Sequence, residues 1–188
     1  MNNEIIGHSK IISFFEKVIA NGNLSHAYCL VGPDQVGKKT VAEYISGKIL
    51  GVSAEKLKQQ PDYILVEQEI NEKTDKMNKN ISSEQTRDLR LFLSQKSFLG
   101  GYKIAVIDDA HKLGVEATNA MLKVLEEPPA HSLIILVSAN PLALLPTIYS
   151  RCVEIKFAPH PRGELLKYLD KLGLSREQGR FLADFSNG

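Results

Sequence analysis

The stretch Gly32-Pro33-Asp34-Gln35-Val36-Gly37-Lys38-Lys39-Thr40 decides the fold of this 188-residue chain. It follows a short apolar run and opens an amphipathic one, and a glycine turn between a strand and a helix is the context of a phosphate-binding loop. Glycines let backbone N–H groups approach phosphate oxygens, and the helix N-terminus adds positive potential. Lys38 would reach the terminal phosphates. The loop predicts a site for ATP or ADP, with Mg²⁺ only if nucleotide binds.

One position of this loop departs from the pattern G-x-x-x-x-G-K-[ST]. Lys39 stands where a hydroxyl would hold Mg²⁺, and the hydroxyl comes one residue later, at Thr40. One helical step rotates a side chain by about 100°, so we expect Thr40 to point away, while Lys39 would repel a metal. Two interpretations stay open: a loop that binds nucleotide, and a glycine turn that kept the shape and lost the ligand.

The apolar run Ile104-Ala105-Val106-Ile107 ends in two carboxylates, Asp108 and Asp109. In phosphate-loop proteins the acid at the carboxyl edge of the sheet coordinates Mg²⁺, and Asp108 fits that role. A competent ATPase of this type usually has Glu next, and Asp109 is one methylene shorter. A displacement of about 1 Å can cost on the order of 100-fold in rate. Lys39 and Asp109 thus both predict weak or absent hydrolysis. Taken alone, two Asp residues after a strand also fit a turn or helix cap.

Apolar runs alternate with amphipathic ones, which predicts an α/β fold with a parallel sheet. Five strands are expected, at 27–31, 63–66, 103–107, 133–137 and 152–157. Helices are expected at 9–20, 38–50, from Ser82 onward, 114–127 and 163–172, followed by an amphipathic stretch at 175–185. Ser82 and Gln85 form a capping-box pattern. The highly charged segment 67–80 predicts a solvated loop.

Pro159 and Pro161 indicate a hinge. We therefore expect an α/β domain at 1–158 and the beginning of a small helical lid domain at 159–188. The last amphipathic stretch stops in mid-pattern, so the lid is expected to be truncated.

Composition limits the partners and cofactors. Lys and Arg total 23 against 22 Asp and Glu, a net charge of +1 that gives no support for binding polyanions by charge alone. Only Cys29 and Cys152 are present, without C-x-x-C spacing, so no zinc site is expected. The chain shows no signal peptide and no apolar run of about 20 residues. These features predict a cytoplasmic protein without a membrane segment.

Several segments together resemble the AAA+ clamp-loader subunits of the bacterial DNA polymerase III holoenzyme. Leu-Glu-Glu-Pro-Pro at 125–129 and Ser-Arg-Cys at 150–152 are far more specific than a phosphate loop alone. The resemblance covers nearly the whole chain, in the segments 6–8, 24–28, 32–40, 107–110, 119–129, 138–141 and 145–152. It implies the AAA+ P-loop NTPase fold, with a five-stranded parallel sheet flanked by helices.

The resemblance also implies roles for the matched residues. Arg151 would be an arginine finger, acting in trans at the ATP site of a neighbouring ATPase subunit, where a guanidinium can stabilise developing phosphate charge. Without this context, Arg151 would be assigned to a strand-edge salt bridge. The other implied roles are adenine contact (Ile6, Gly7), the phosphate loop (Gly32, Gly37, Lys38, Lys39, Thr40), the acidic strand end (Asp108, Asp109) and the polar sensor (Ser138 or Asn140).

Within this family, the Lys38-Lys39-Thr40 and Asp108-Asp109-Ala110 sequences favour the delta-prime type. That assignment implies a stator in DNA replication, with weak or absent ATPase activity of its own, inside a DNA-directed DNA polymerase holoenzyme. Its implied partners are subunits of the gamma/tau and delta types and, through the complex, the sliding clamp and primer-template DNA. The alternative is an ATP-hydrolysing motor of the gamma/tau type. The family's collar domain is absent, so we expect an N-terminal fragment.

Overall fold

A computed structural model describes residues 5, 7–71, 76–175, 177–178 and 181, and the structural statements below concern these residues. The strands are β1 (Ala27–Val31), β2 (Tyr63–Val66), β3 (Ile70–Asn71), β4 (Lys76–Met77), β5 (Lys103–Ile107), β6 (Ser132–Ser138) and β7 (Val153–Lys156). The α-helices are α1 (Ser9–Ala20), α2 (Lys38–Leu50), α3 (Ser83–Ser94), α4 (Val115–Glu126), α5 (Pro146–Tyr149) and α6 (Arg162–Lys171). Short 3₁₀ turns occur at Ala54–Gln59, Ala110–Lys112 and Pro141–Ala143.

Five strands form one parallel sheet in the order β2-β5-β6-β1-β7. The predicted α/β fold and its five strands are confirmed, with bounds that agree to within one residue. The helices predicted before and after the phosphate loop have the expected bounds. Helix α5 and the 3₁₀ turns were not predicted. The amphipathic stretch predicted at 175–185 lies largely outside the described residues.

The central strands are buried on both faces, as strands covered by helices on each side must be. Alternate residues therefore enter two separate cores. Cys29 of β1 packs in the core beneath α3, α4 and α5, whereas Tyr28 and Leu30 pack in the core beneath α1 and α2. The carboxyl ends of all five strands meet at one edge of the sheet, where the residues after the strands form the candidate site.

Segment 67–80 differs from its prediction as a solvated loop. Strands β3 and β4 pair antiparallel, with Ile70 opposite Met77. The Gln68 amide donates to the carbonyl oxygens of Asn78 and Lys79, at 2.7 and 2.9 Å. The paired apolar side chains of Ile70 and Met77 are both exposed, and the charged segment around them produces no hydrophobic alternation in the sequence.

The start of α3 is fixed by the predicted capping box. The backbone N–H of Gln85 donates to Ser82 Oγ at 3.2 Å, and the N–H of Ser82 donates to Gln85 Oε1 at 3.0 Å. The Gln85 amide also donates to the carbonyl of Glu67 at 2.8 Å. This cap therefore ties α3 to the residue that follows β2.

A fully buried carboxylate holds the turn between α3 and β5. Asp62 accepts hydrogen bonds from the N–H groups of Phe98 and Leu99, at 2.8 and 2.9 Å. The Ser97 hydroxyl donates to it at 2.8 Å, and the buried ammonium of Lys103 lies 3.5 Å away. The side chains of Phe98 and Leu99 are nevertheless largely exposed.

Of the described helices, none has the length and apolar character needed to cross a bilayer.

Candidate phosphate-binding site and acidic strand edge

The phosphate loop has the backbone that its glycines require. Gly37 lies at the N-cap of α2 with φ 88°, in the left-handed region that favours glycine. Gly32 has φ 150°, and a Cβ there would collide with the backbone carbonyl oxygen of Phe157. The loop therefore passes too close to the segment after β7 to accept any side chain at Gly32.

Lys38 folds back onto the loop that precedes it. Its ammonium donates to the carbonyl oxygen of Gly32 at 2.9 Å and also to that of Pro33, and the residue is 5% exposed. Burial lowers the pKa of Lys38, and the nearby carboxylates Asp34 and Asp108 oppose that shift. The ammonium is thus held within the loop by its carbonyl groups.

Lys39 joins the two acids that follow neighbouring strands. Its Nζ lies 2.5 Å from Glu67 Oε2 and 3.1 Å from Asp108 Oδ2. Partial burial works against the charged form of Lys39, but the hydrogen bonds to Glu67 and Asp108 outweigh it and raise the pKa of the ammonium. The proposed metal-binding carboxylate therefore already has a cationic partner.

Asp109 is paired in the same way with a different lysine. Lys112 Nζ lies 2.7 Å from Asp109 Oδ2 and donates to Gln68 Oε1 at 2.7 Å. Asp109 has φ 50°, a left-handed conformation that Asp tolerates better than most residues. The carboxylate at the position where an ATPase has its water-activating acid is therefore held in a short-range ion pair.

Most of the predicted loop and strand-end residues line one cleft of about 290 Å³. The rotation of the helix predicted that Thr40 points away, but Thr40 is exposed and also lines this cleft. This volume is at the small end of the range for ligand pockets. The lining residues are Asp34, Gln35, Gly37, Lys38, Lys39, Thr40, Asp108, Asp109 and Val137.

Glu67 is a site residue that the sequence analysis did not identify. Val66 and Ile107 are register partners in the parallel pair of β2 and β5, so Glu67 and Asp108 follow them at the same sheet edge. A charged residue directly after a predicted parallel strand was the available signal. It was missed because Glu67 was assigned to the charged loop rather than to the strand end.

The proposed sensor residues follow Val137, the residue of β6 that lines this cleft. Ser138 ends β6 and is fully buried, with Oγ 3.3 Å from His111 Nδ1. The N–H of Asn140 donates to the same Ser138 hydroxyl at 3.2 Å. Their neighbour Val137 is the β6 residue that reaches the cleft. These contacts order the end of β6 next to the 3₁₀ turn that follows Asp109.

Arg151 lies in the turn before β7, an edge strand of the sheet. Its Nη2 lies 2.8 Å from Glu126 Oε1, and Nη1 donates to the carbonyl of Thr147 at 2.7 Å. The backbone N–H of Arg151 donates to the carbonyl of Ile148 at 3.1 Å. The guanidinium thus forms a salt bridge within the chain while a third of its side-chain surface, 34%, stays exposed.

The predicted adenine-side residues pack against the segment that follows β7. Ile6 lies outside the described residues. Gly7 has φ 65°, and a Cβ there would approach His160 Nδ1 to 2.5 Å. The His8 ring lies 4.4 Å from the His160 ring and 4.6 Å from the Phe157 ring, between centroids, and its Nε2–H donates to the Val36 carbonyl at 2.7 Å. Burial lowers the pKa of His8, and His160 adds to that effect.

The residues at the acidic edge do not fit a bound Mg²⁺. Magnesium requires near-octahedral oxygen ligands, whereas Asp108 and Glu67 both face the Lys39 ammonium. Among the described residues, no group of three or more His, Cys, Asp and Glu side chains is arranged to hold a metal ion. The loop has kept its backbone form, but a lysine stands where its metal-binding hydroxyl would be.

The sheet order, the glycine loop and the acidic strand edge define an AAA+ fold of the phosphate-loop type. Solved structures agree. A DNA polymerase III gamma subunit-related protein from Thermotoga maritima superposes with TM-score 0.62 at 23% identity, over 92% of this chain and 56% of that one. The RuvB Holliday junction branch migration motor of the same organism superposes with TM-score 0.65 at 15% identity, over 97% and 57%.

The chain belongs to the family described as "DNA polymerase III, delta subunit", whose model matches residues 7–161. It is 38% identical over 144 residues to DNA polymerase III subunit delta' of Pseudomonas aeruginosa, covering 69% of this chain and 42% of that protein. It is 29% identical over 191 residues to subunit tau/gamma of Haemophilus influenzae, covering 95% and 25%. The chain thus spans less than half the length of these relatives.

Proposed function

We propose that this chain is the AAA+ part of a clamp-loader subunit of the delta-prime type, acting in DNA replication within a DNA polymerase III complex. In this role it is a stator that helps to load the sliding clamp and supplies Arg151 to the ATP site of a neighbouring subunit. The observation that carries the proposal is the pairing of Asp108 with Lys39 and of Asp109 with Lys112. With both acids neutralised by lysines, the chain's own ATPase activity is weak or absent.

The proposal includes a set of partners and a ligand state. The partners are clamp-loader subunits of the gamma/tau and delta types, together with the sliding clamp and primer-template DNA through the complex. The AAA+ class implies nucleotide binding in the family, and here ATP or ADP would meet Gly32, Gly37, Lys38 and Thr40, with Gly7 on the adenine side and Ser138 or Asn140 as the sensor. A role in replication places the protein in the bacterial cytoplasm.

Arg151 is suited to act on another chain. Helix α5 and the backbone hydrogen bond to Ile148 fix its main chain, and it directly precedes the edge strand β7. Its partner Glu126 is itself half exposed. The guanidinium can therefore exchange this carboxylate for a phosphate without exposing a buried charge to solvent.

We also propose the division into an α/β domain at 1–158 and a lid segment at 159–188, because α6 follows the Pro159 and Pro161 hinge.

Reconstitution of the full-length subunit with gamma/tau and delta partners tests the assignment of Arg151. Loss of an arginine finger lowers kcat by about 10³-fold or more, so Arg151→Ala should reduce the partner's ATPase activity steeply without preventing assembly. Arg151→Lys should recover little, because an ammonium lacks the planar fork. Lys10→Ala, an exposed cation on α1, is the control. A fully assembled Arg151→Ala complex with normal ATPase activity would contradict this role.

A motor subunit of the gamma/tau type is the second candidate. It is favoured by the match to the tau/gamma relative over 95% of the chain, broader than the 69% matched in subunit delta'. Calorimetric titration with ATP and Mg²⁺ separates the two candidates. Micromolar binding that Lys38→Ala abolishes, together with turnover by the isolated subunit, would establish the motor and exclude the stator.

A further inference from the structure

The acidic edge of the phosphate cleft is built around a side-chain cation. Lys39 is the second residue of α2, and its Nζ contacts one oxygen from each of two carboxylates that follow adjacent strands, at 2.5 Å to Glu67 and 3.1 Å to Asp108. Strand pairing places these two acids side by side, where they would repel each other without a cation between them. The lysine therefore has a structural reason to remain charged and in place.

We propose that Lys39 is a resident cation that takes the place of a divalent metal, so that this cleft excludes Mg²⁺ and accepts a nucleoside polyphosphate only in its metal-free form. The inference deepens the proposed stator function and rests on it for its biological meaning.

Three features of the cleft support this assignment. Asp108 is the carboxylate expected to bind a metal, and its Oδ2 faces the ammonium. Lys112 holds Asp109, the next carboxylate along, so no unpaired acid is left among the described lining residues other than Asp34 in the loop. Glu43, one turn along α2, lies in the field of the same charges, and burial raises its pKa, which favours its neutral form. A divalent ion would have to displace the ammonium while being repelled by it.

The part of the cleft that would bind phosphate does not depend on a metal. The N-terminus of α2 and the Gly37 turn are present at the loop, and the Lys38 ammonium would have to leave the Gly32 and Pro33 carbonyl groups to reach a phosphate. An anion there is favoured by backbone N–H groups and by the helix dipole. Lys39 adds a positive charge on the side of the cleft where a phosphate-bound metal would otherwise supply it.

Metal binding measured directly tests the first half of the proposal. Mn²⁺ is titrated into the full-length protein and free Mn²⁺ is followed by electron paramagnetic resonance. Wild type and Lys39→Arg should bind no Mn²⁺ at this edge, whereas Lys39→Thr should gain one site, which a further Asp108→Asn change removes. Lys48→Thr, on the same helix and exposed, should behave as wild type. A wild-type site that Asp108→Asn abolishes would overturn the proposal.

Calorimetry with ADP, in EDTA and in excess Mg²⁺, tests the second half. Wild type should bind ADP more weakly in excess Mg²⁺ than in EDTA, because Mg²⁺ removes the free nucleotide that the cleft accepts. Lys39→Thr should instead bind ADP at least about tenfold more tightly with Mg²⁺ than with EDTA. Wild-type binding that is as tight or tighter with Mg²⁺, or no ADP binding under either condition, would overturn the metal-free ligand. Circular dichroism checks that the variants are folded. Neither measurement involves a partner subunit, so failure here leaves the Arg151 reconstitution result standing.

Discussion

Arg151 and Glu126 form a salt bridge across the end of α4, with Nη2 2.8 Å from Oε1. Both side chains are partly exposed, and exposed ion pairs contribute only about 0.2–1 kcal/mol. The ion pair therefore orients the guanidinium but holds it only weakly. In the proposed role of Arg151, the pair would compete only weakly with a phosphate of a neighbouring subunit.

Replacing Glu126 should make that competition visible. Glu126→Gln removes the ion pair and should raise the partner's ATPase activity in the reconstituted complex by up to about fivefold at subsaturating subunit concentration, since 1 kcal/mol corresponds to about that factor. The measurement is steady-state ATP hydrolysis. Glu127→Gln is the matched control, because it is the adjacent exposed carboxylate of the same Glu-Glu pair. Equal activities of the two variants would show that Glu126 does not restrain Arg151.

The buried carboxylate of Asp62 should contribute strongly to stability. Asp62→Ala removes the carboxylate beside the buried ammonium of Lys103, which lies 3.8 Å from the centroid of the Phe92 ring. It also removes the acceptor for the N–H groups of Phe98 and Leu99. Breaking a buried charged network by removing one partner costs about 3–5 kcal/mol. Urea denaturation should show this loss. Asp88→Ala, at an exposed position on α3, should change the free energy of unfolding by less than about 0.5 kcal/mol.

The same carboxylate should make stability depend on pH in the acid range. Burial alone would raise the pKa of Asp62, but its hydrogen bonds with Phe98, Leu99 and Ser97 outweigh burial and lower it. A lowered pKa means that its stabilisation is fully present above the ordinary aspartate value and is lost as the pH falls through the folded-state value. Unfolding free energies measured between pH 6 and pH 2 should fall less steeply for Asp62→Asn than for wild type. Parallel curves would remove Asp62 from this role.

The capping box of α3 gives a smaller and more local prediction. Ser82→Ala removes the acceptor for the Gln85 N–H and should destabilise the protein by about 0.5–2 kcal/mol. Ser83→Ala, one residue into the helix, should have little effect because no cap depends on it. Thermal unfolding of the two variants distinguishes loss of the helix cap from a general effect of replacing serine by alanine. Similar melting temperatures for the pair would contradict the cap.

Most of the fold was predictable because strong, repeated signals determine it. Strands buried on both faces are continuous apolar runs, so β1 and β5 were located to the residue from their hydrophobicity. The glycines of the phosphate loop marked the junction of β1 and α2 for a steric reason, the close approach of Phe157 to Gly32. Strands β3 and β4 were not predicted, because their pairing depends on backbone hydrogen bonds and their apolar side chains, Ile70 and Met77, are exposed.

Three residues at the acidic edge were predicted from the sequence, but two of their ion-pair partners, Glu67 and Lys112, were not. Lys39, Asp108 and Asp109 were identified from their positions after the loop and the strand. Which lysine meets which acid depends on side-chain reach across adjacent elements, which a linear pattern does not contain. Glu67 and Lys112 complete the two pairs, and only the register of β2 against β5 and the turn after Asp109 bring them there.

The tilted rings of His8 and His160, with centroids 4.4 Å apart, connect regions that are distant along the chain. His8 is the N-cap residue of α1 and donates to the carbonyl of Val36 in the phosphate loop, while His160 lies two residues before α6. The ring of Phe157 contacts the His8 ring, and the backbone carbonyl of Phe157 lies close to Gly32. Any displacement of His160 away from α1 would therefore break its ring contact with His8, the residue that hydrogen-bonds the phosphate loop. The segment that leads into α6 and the phosphate loop are thus joined through a single side chain, that of His8.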